Sequence, residues 1–358
     1  MKEFSTKMKI KKYDLFGMGN ALVDLELEVS EAFLKEQGLK KGQTCLVDQE
    51  TQYKILENTV GQHHQKSGGG SAANTIIGFS QYGGKSYYSC RVARDEFGEF
   101  YRQDLSSLGI DSSASAFVSE NLESKRNNEN TNTGRCLAMV TPDGERTMAT
   151  YLGTSQEYSL EDLNLEALKL SSSLYCEGYL FFQEKAQGAI KKAFEVAKEE
   201  GIATCLTFSD PSVVTFCREN LLAFFKKQGP VDLLFGNLEE YSLFFENSLT
   251  LSSLGRNLEK LRENLAPYAS NFVITLGGNG AIAFDRGVWT EIVATPVKPL
   301  DTIGAGDHFA AAYLYGRFKQ WPMRQSLRLA HEGASLLVQQ FGARLSLEQI
   351  QFLRTSYS

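Results

Sequence analysis

The chain has 358 residues, 42% of them hydrophobic and 22% charged, with 37 Lys and Arg against 43 Asp and Glu and a formal net charge of −6. That length supports one large core, or a core with a small lobe. The acidic balance excludes a nucleic-acid footprint, because phosphate-backbone binding needs a basic face and the run KMKIKK at Lys7 to Lys12 is too short to supply one.

The six cysteines, Cys45, Cys90, Cys136, Cys176, Cys205 and Cys217, are scattered without a C-x-x-C pair, which reads as reduced thiols of a cytoplasmic protein. The N-terminus lacks an apolar region long enough for a secretion signal, and no apolar run approaches a membrane span. A soluble, cytoplasmic protein with a small-molecule ligand is the expectation.

In chain order, YDLFGMGNALVDLELEVS reads as a buried strand ending near Gly17, a turn, and a second strand with Leu25, Leu27 and Val29 on one face. SAANTIIGFSQY, from Ser71 to Tyr82, follows three glycines and has helical spacing. YYSCRVA then reads as a strand, and FGEFYRQDLSSLG as a helix closing on Gly109. The polar stretch Ser119 to Thr133 reads as an exposed loop, and RCLAMV, TPDG and RTMATYL as a hairpin. From Ser171 onward the pattern is regular: strand SSLYCEGY, helix AQGAIKKAFEVAKEEG, strands IATCLTF and VDLLFG, helix LEKLRENLA, strand NFVITLG, then GAIAFDRG and VWTEIVA as a hairpin. Alternating strands and helices predict a mostly parallel sheet covered on both faces. The early strands and the hairpin near Thr141 are expected to form a small β lobe over the strand ends, within one domain spanning 1–358.

Four constellations carry chemistry. In DTIGAGDHFAAAYLYG the turn Gly304-Ala305-Gly306 precedes Asp307 and a small-residue helix, which suits either an anion at a helix N-terminus with a carboxylate base beside it, or a plain helix cap. Asn237 and Glu240 of NLEE lie three apart, the spacing of a pair holding the water ligands of Mg2+ and equally of a capping box, which is the stronger reading of the pair alone. ITLGGNGAIAF offers open backbone at Gly277 to Gly280 for a ligand, or a hairpin turn. Asn20 and Asp24, with Gly69, Gly70 and Asn74 of SGGGSAANT, suit the hydroxyls of a polyol, or a turn and a cap. A Rossmann fingerprint, a P-loop and a zinc site are excluded by motif and by the spacing of His63, His64, His308 and His331.

In this order, GNALVD, GGSAAN, RVARDEFGEFYRQDL, NLEE, TLGGNG, DTIGAGD and HEGASLLVQQFGA resemble the PfkB/ribokinase family of small-molecule kinases across nearly the whole chain. The resemblance implies an α/β fold, a three-layer α/β/α ribokinase-like sandwich with a small β-sheet lid built from segments around 20–50 and 133–155. It implies ATP and Mg2+ as cofactors and a primary hydroxyl as acceptor. Asp307 would be the base, Gly304, Ala305 and Gly306 the anion hole, and Asn237 and Glu240 the Mg2+ and phosphate site, through water. Thr275, Gly277 and Gly280 would line the nucleotide, with His331 near the adenine. Asn20, Asp24, Gly69, Gly70 and Asn74 would hold the acceptor, Arg146 on the lid would face the phosphates, and Asp301 is a candidate ligand for a monovalent cation such as K+. GLKKGQTCLVD, GGSAANT, LTFSDPSVV and TGRCLAMVTPDGERTM are similar to the adenosine-kinase branch, which implies a ribonucleoside acceptor. Two departures touch the acceptor: Ser212 stands where that branch has an aromatic residue to stack on the base, and Arg91 and Ala93 stand where glycines are common. A sugar kinase of the ribokinase or fructokinase type and a non-catalytic ligand-binding homologue are the alternatives. Monomer and homodimer are both open.

Overall fold

The computed structural model describes residues 11–59, 63–114, 132–246, 250 and 258–357. Most of the basic tail Lys7 to Lys12, and most of the polar stretch Ser119 to Thr133, lie outside these residues.

The first half of the chain runs β1 (Tyr13–Met18), β2 (Leu22–Glu28), α1 (Glu31–Glu36), β3 (Thr44–Leu46), α2 (Gln49–Glu57), β4 (His63–Gly69), α3 (Ser71–Gln81), β5 (Ser86–Ser89), α4 (Glu96–Ser107) and β6 (Asp111–Ser112). A hairpin, β7 (Thr133–Val140) and β8 (Arg146–Gly153), follows. Then come α5 (Leu165–Lys169), β9 (Ser171–Glu177), α6 (Ala186–Glu199), β10 (Ala203–Thr207), α7 (Pro211–Gln228), β11 (Leu233–Asn237), α8 (Leu238–Phe245), α9 (Leu258–Leu265) and β12 (Phe272–Thr275). The chain ends with β13 (Ala281–Asp285), β14 (Val288–Ile292), α10 (Ala305–Phe318), α11 (Met323–Leu337) and α12 (Leu347–Tyr357).

A nine-stranded sheet has the order β14-β13-β12-β11-β10-β9-β1-β5-β6, parallel except for the β13 and β14 hairpin at its edge. Strands alternate their side chains between two cores: Leu15 of β1 points to the layer of α3, α10 and α11, while Phe16 and Met18 point to the layer of α6, α7, α8 and α9. With both faces apolar and all three side chains at 1% exposure or less, β1 needs cover on both sides. It therefore sits in the large sheet, and only the second of the early strands joins the small lobe. YYSCRVA is a strand only from Ser86 to Ser89, because Cys90 N–H leaves the ladder for the Ser113 hydroxyl at 2.8 Å.

A five-stranded sheet, β3-β8-β7-β2-β4, forms the lobe. β4 lies outside the 20–50 segment and adds an edge that the polar run HHQKSGG does not announce. One face of this sheet, with Leu25, Leu27, Leu137, Met139 and Ala149, is buried against residues of α1, α2 and α4. Asp24, Cys136 and Thr150 are register partners on the other face. All six cysteines are free, five of them buried. Among the described residues no helix is long and apolar enough to cross a membrane.

Candidate active site

Moving outward from β1 in the large sheet, the chain goes to β5 and β6 on one side and to β9, β10, β11 and β12 on the other. The order thus reverses between β1 and β9, and the crevice beyond the carboxyl ends of the strands at such a reversal is where doubly wound sheets receive ligands. Every candidate cluster below except His331 sits at or near those ends.

Gly304 adopts the left-handed conformation at φ 73°, and a Cβ there would lie 2.7 Å from that of Ala343, so glycine is required where the chain turns into α10. Ala305 N–H turns back to the Thr302 carbonyl at 3.3 Å, and His308 N–H makes the first helical bond, to Gly304 at 2.8 Å. The amides of Gly306 and Asp307 precede that ladder, at the positive end of the helix dipole. A Cβ at Gly306 would meet nothing within 4 Å, so backbone is open to the crevice.

Asp307 is held from α3. Its Oδ1 accepts from the Ser71 hydroxyl at 2.7 Å and its Oδ2 from Asn74 Nδ2 at 3.2 Å, while its carbonyl accepts from Thr75 Oγ1 at 3.2 Å. Burial pushes the carboxyl up to about 6, against the two donated hydrogen bonds, which favour the charged form. A half-buried carboxylate titrating near neutrality beside open helix amides can take a proton while an anion is bound next to it.

The acceptor candidates converge on the same spot. Gly70, at φ 106°, closes to 2.2 Å between its notional Cβ and the Asn20 carbonyl. The Asp24 carboxylate occupies the volume a Gly69 side chain would need, its Oδ2 lying 2.1 Å from the notional Cβ. Burial raises the Asp24 carboxyl to about 7; Arg344 and Arg146 oppose the rise and Asp307 adds to it. Asn20 Oδ1 accepts from Gln183 Nε2 at 2.7 Å.

Glu177, at the end of β9 and fully buried, escaped the sequence reading. Its Oε1 accepts from Asn20 N–H and its Oε2 from Ala72 N–H, both at 2.8 Å, so one carboxylate ties the β1–β2 turn to the start of α3 across the point where strand order reverses. Burial raises it to about 7, and the two amides hold it down. The available signal was a lone acid inside the apolar run SLYCEGYLFF. Nearby, Ser209 adopts φ 71°, its hydroxyl taking the Gly178 N–H at 2.9 Å, a strained residue at the crevice wall.

Asn237 and Thr275 are register partners at the ends of β11 and β12. Asn237 and Glu240 form the capping box in full, with Asn237 Oδ1 taking Glu240 N–H at 2.9 Å, Glu240 Oε2 taking Asn237 N–H at 2.9 Å, and Oε1 taking Asn237 Nδ2 at 3.0 Å. Burial, with Asp210 and Asp307 adding to it, raises Glu240 to about 7. Among the described residues no group of three or more His, Cys, Asp or Glu is arranged to hold a metal ion. Gly277 and Gly278 leave open space where a Cβ would stand, whereas Gly280 packs on the Ile292 carbonyl. His331 stands apart on α11, its Nε2 accepting from Thr295 N–H at 3.2 Å.

Arg146 is the first residue of β8. Its guanidinium pairs with Glu26 at 2.7 Å and Asp301 at 3.3 Å and lies over Phe341. The Asp301 carboxylate also takes the amides of Ile303 at 3.0 Å and Gly342 at 2.9 Å. Arg91 pairs with the buried Asp162 at 3.1 Å.

The family model described as pfkB family carbohydrate kinase matches residues 44–350. An adenosine kinase from Sinorhizobium meliloti superposes with a TM-score of 0.81 at 29% identity, over 96% of this chain and 99% of that one. A probable sugar kinase from Rhizobium etli CFN 42 superposes with a TM-score of 0.80 at 27% identity, over 97% of this chain and 100% of that one. A 5-dehydro-2-deoxygluconokinase from Clostridium botulinum is 25% identical over 274 residues, 75% of this chain and 78% of its own length. With a ribokinase-like fold and a family match over most of its length, the chain is a small-molecule kinase that belongs to the pfkB family of carbohydrate kinases.

Proposed function

We propose that the chain phosphorylates a primary hydroxyl of a ribonucleoside resembling adenosine, with ATP and Mg2+ as cofactors. The observation that supports this most is the placement of Asp307 in one crevice with the open amides of α10 and the polar groups of Asn20, Asp24 and Asn74.

The residues fit the cofactor on two counts: open backbone at Gly277 and Gly278, and the amides of Gly306 and Asp307 ahead of the helical ladder. Bound there, Mg-ATP supplies the phosphoryl group, with the metal neutralising part of its charge. Thr275, Gly277 and Gly280 would flank the nucleotide, with His331 toward its base, and Asn237 and Glu240 would hold metal-bound water. Asn20, Asp24, Gly69, Gly70 and Asn74 orient the acceptor. Asp307 Oδ takes the proton of the acceptor hydroxyl, and the amides of the Gly304-Ala305-Gly306 turn face the transferring charge. Asp301 stays engaged with Arg146, the position at which K+ dependence is to be tested. The five-stranded sheet acts as a lid that excludes water. Its crevice-side face, with Cys136, Ala138, Met148 and Thr150 around Asp24, suits an acceptor with an apolar body as well as hydroxyls.

Ser212 favours a second reading, a sugar acceptor. Its backbone N–H donates to Asp210 at 2.7 Å as part of the α7 cap, and Ser212 itself carries no ring to stack on a base. ADP release with adenosine, other nucleosides, ribose, fructose and 5-dehydro-2-deoxygluconate decides between the two. Thermal shifts with the same panel and a non-hydrolysable ATP analogue report binding independently of turnover. Adenosine giving neither turnover nor a shift, while a free sugar gives both, overturns the nucleoside reading. ATP binding with no turnover on any acceptor supports a non-catalytic homologue.

A further inference from the structure

The four residues Phe341 to Arg344, between α11 and α12, each touch a different wall of the crevice. The Phe341 ring lies under the Arg146 guanidinium, Gly342 N–H bonds Asp301, and Ala343 fills the space over Gly304. Arg344 reaches furthest: Nη1 pairs with Asp104 of α4 at 2.8 Å, and Nη2 donates to the Gly68 carbonyl of β4. Asp104 Oδ2 in turn accepts from Gly68 N–H at 3.2 Å. Both backbone groups of Gly68 are thus held by one ion pair, at the end of an edge strand whose strand partner is β2 alone. The next residue, Gly69, lies against the Asp24 carboxylate.

We propose that Arg344 is a positioning residue for the acceptor, acting through strand β4 and through the charge of Asp24. This rests on the reading of Asp24 as an acceptor ligand. Around Asp24, the Tyr101 hydroxyl of α4 donates to the Gly69 carbonyl at 2.9 Å and Asp104 is the partner of Arg344. Arg344 and Arg146 favour its ionised form, Asp307 opposes it, and Cys136 faces it from β7. Glu26, on the same face of β2, has Arg146 as its own partner. Arg344 is the largest of the favourable charges, and with Arg344 and Asp104 only 19% and 20% exposed the pair is poorly screened. An ionised Asp24 can accept hydrogen bonds from two hydroxyls, whereas a protonated one must donate. A merely structural ion pair would cost stability and leave the pH dependence of acceptor binding where it was.

The test measures adenosine affinity by calorimetry from pH 5.5 to 9 in wild type, Arg344→Gln and Arg344→Lys, with an ATP analogue titrated in parallel. Wild-type affinity should rise with pH as Asp24 ionises. Arg344→Gln should move that midpoint up by about one unit and weaken binding at neutral pH about fivefold, while Arg344→Lys keeps the midpoint and ATP-analogue affinity is unchanged in both. A midpoint unmoved in Arg344→Gln, or moved equally in both variants, overturns the proposal. Should Arg344→Gln fail to fold, Arg344→Lys decides alone: a retained midpoint with weaker adenosine binding supports the role, and a shifted midpoint refutes it. If wild type binds no adenosine, the same titrations are run with whichever panel acceptor it binds. Failure of every acceptor on wild type removes the acceptor-site reading and the Arg344 role with it, whereas normal binding with no effect of either variant removes the Arg344 role alone.

Discussion

Asp307→Asn keeps the size of the side chain and removes its charge. The surrounding hydrogen bonds survive a turn of the amide, with oxygen toward Asn74 Nδ2 and NH2 toward the Ser71 hydroxyl, which then accepts. Two effects of opposite sign follow. Loss of a positioned base lowers turnover by about 10²- to 10⁴-fold, roughly 3–5 kcal/mol of barrier. Stability moves the other way. The carboxyl titrates near 6 in the fold, about two units above its unfolded value near 3.9, so carrying the charge costs the folded state about 3 kcal/mol at most. Because the folded state binds this proton more tightly, wild-type stability from this group falls as pH rises from 4 to 6, and the full cost is present above 6. Asn carries no such cost. The variant should therefore be up to about 3 kcal/mol more stable than wild type at pH 7.5, an advantage that shrinks by about 2 kcal/mol at pH 4.5. Urea denaturation at the two pH values measures the stability, and ADP release measures turnover. Turnover within tenfold of wild type, or a stability gain that is the same at both pH values, would refute the reasoning.

Glu240→Gln keeps an acceptor for Asn237 N–H and gives up the one for Asn237 Nδ2 while removing a charge that burial disfavours, two opposing effects that should leave melting little changed; a raised Mg2+ requirement for turnover would mark a metal role, and an unchanged one would leave the capping box as its whole function. Glu177→Gln offers one oxygen to two buried amides and leaves one without an acceptor, a cost of about 1–3 kcal/mol set against relief of the buried charge; the loosened β1–β2 turn should show as an acceptor KM raised about tenfold, with ATP KM much less affected. Gly70→Ala meets both a left-handed φ and the Asn20 carbonyl, and should cost about 3 kcal/mol or more by denaturation, whereas Gly188→Ala, in open space on α6, should stabilise by about 0.5–1 kcal/mol.

The elements most legible in the sequence were those with one clear period or one sharp punctuation. The α3 stretch after three glycines, the β7 and β8 hairpin around TPDG, and the strands read after Ser171 all stand where their patterns place them. Helix α7 was invisible to periodicity because apolar residues ring it: Phe216 is 77% exposed while Val213, Val214, Cys217, Leu221, Phe224 and Phe225 are buried. Its Asp210 cap, Pro211 at the first turn and Gly229 at the end were the usable signals. In the crevice, the sequence offered residues with a motif around them and hid those that work through distant partners. Glu177 bonds Asn20 from 157 positions away, Ser71 bonds Asp307 from 236, and Arg344 bonds Asp104 from 240. Such pairings follow from topology, which no local pattern encodes.

The Asp24 carboxylate fills the place of a Gly69 side chain, and this makes the two positions a single unit of variation. Any residue larger than glycine at 69 needs one shorter than aspartate at 24, and a shortened residue at 24 leaves a hollow that glycine at 69 cannot fill. In a library randomised at both positions, functional clones should lie along a narrow diagonal of paired sizes, with each single change failing on its own. Sequence drift at this pair thus needs two coordinated codon changes.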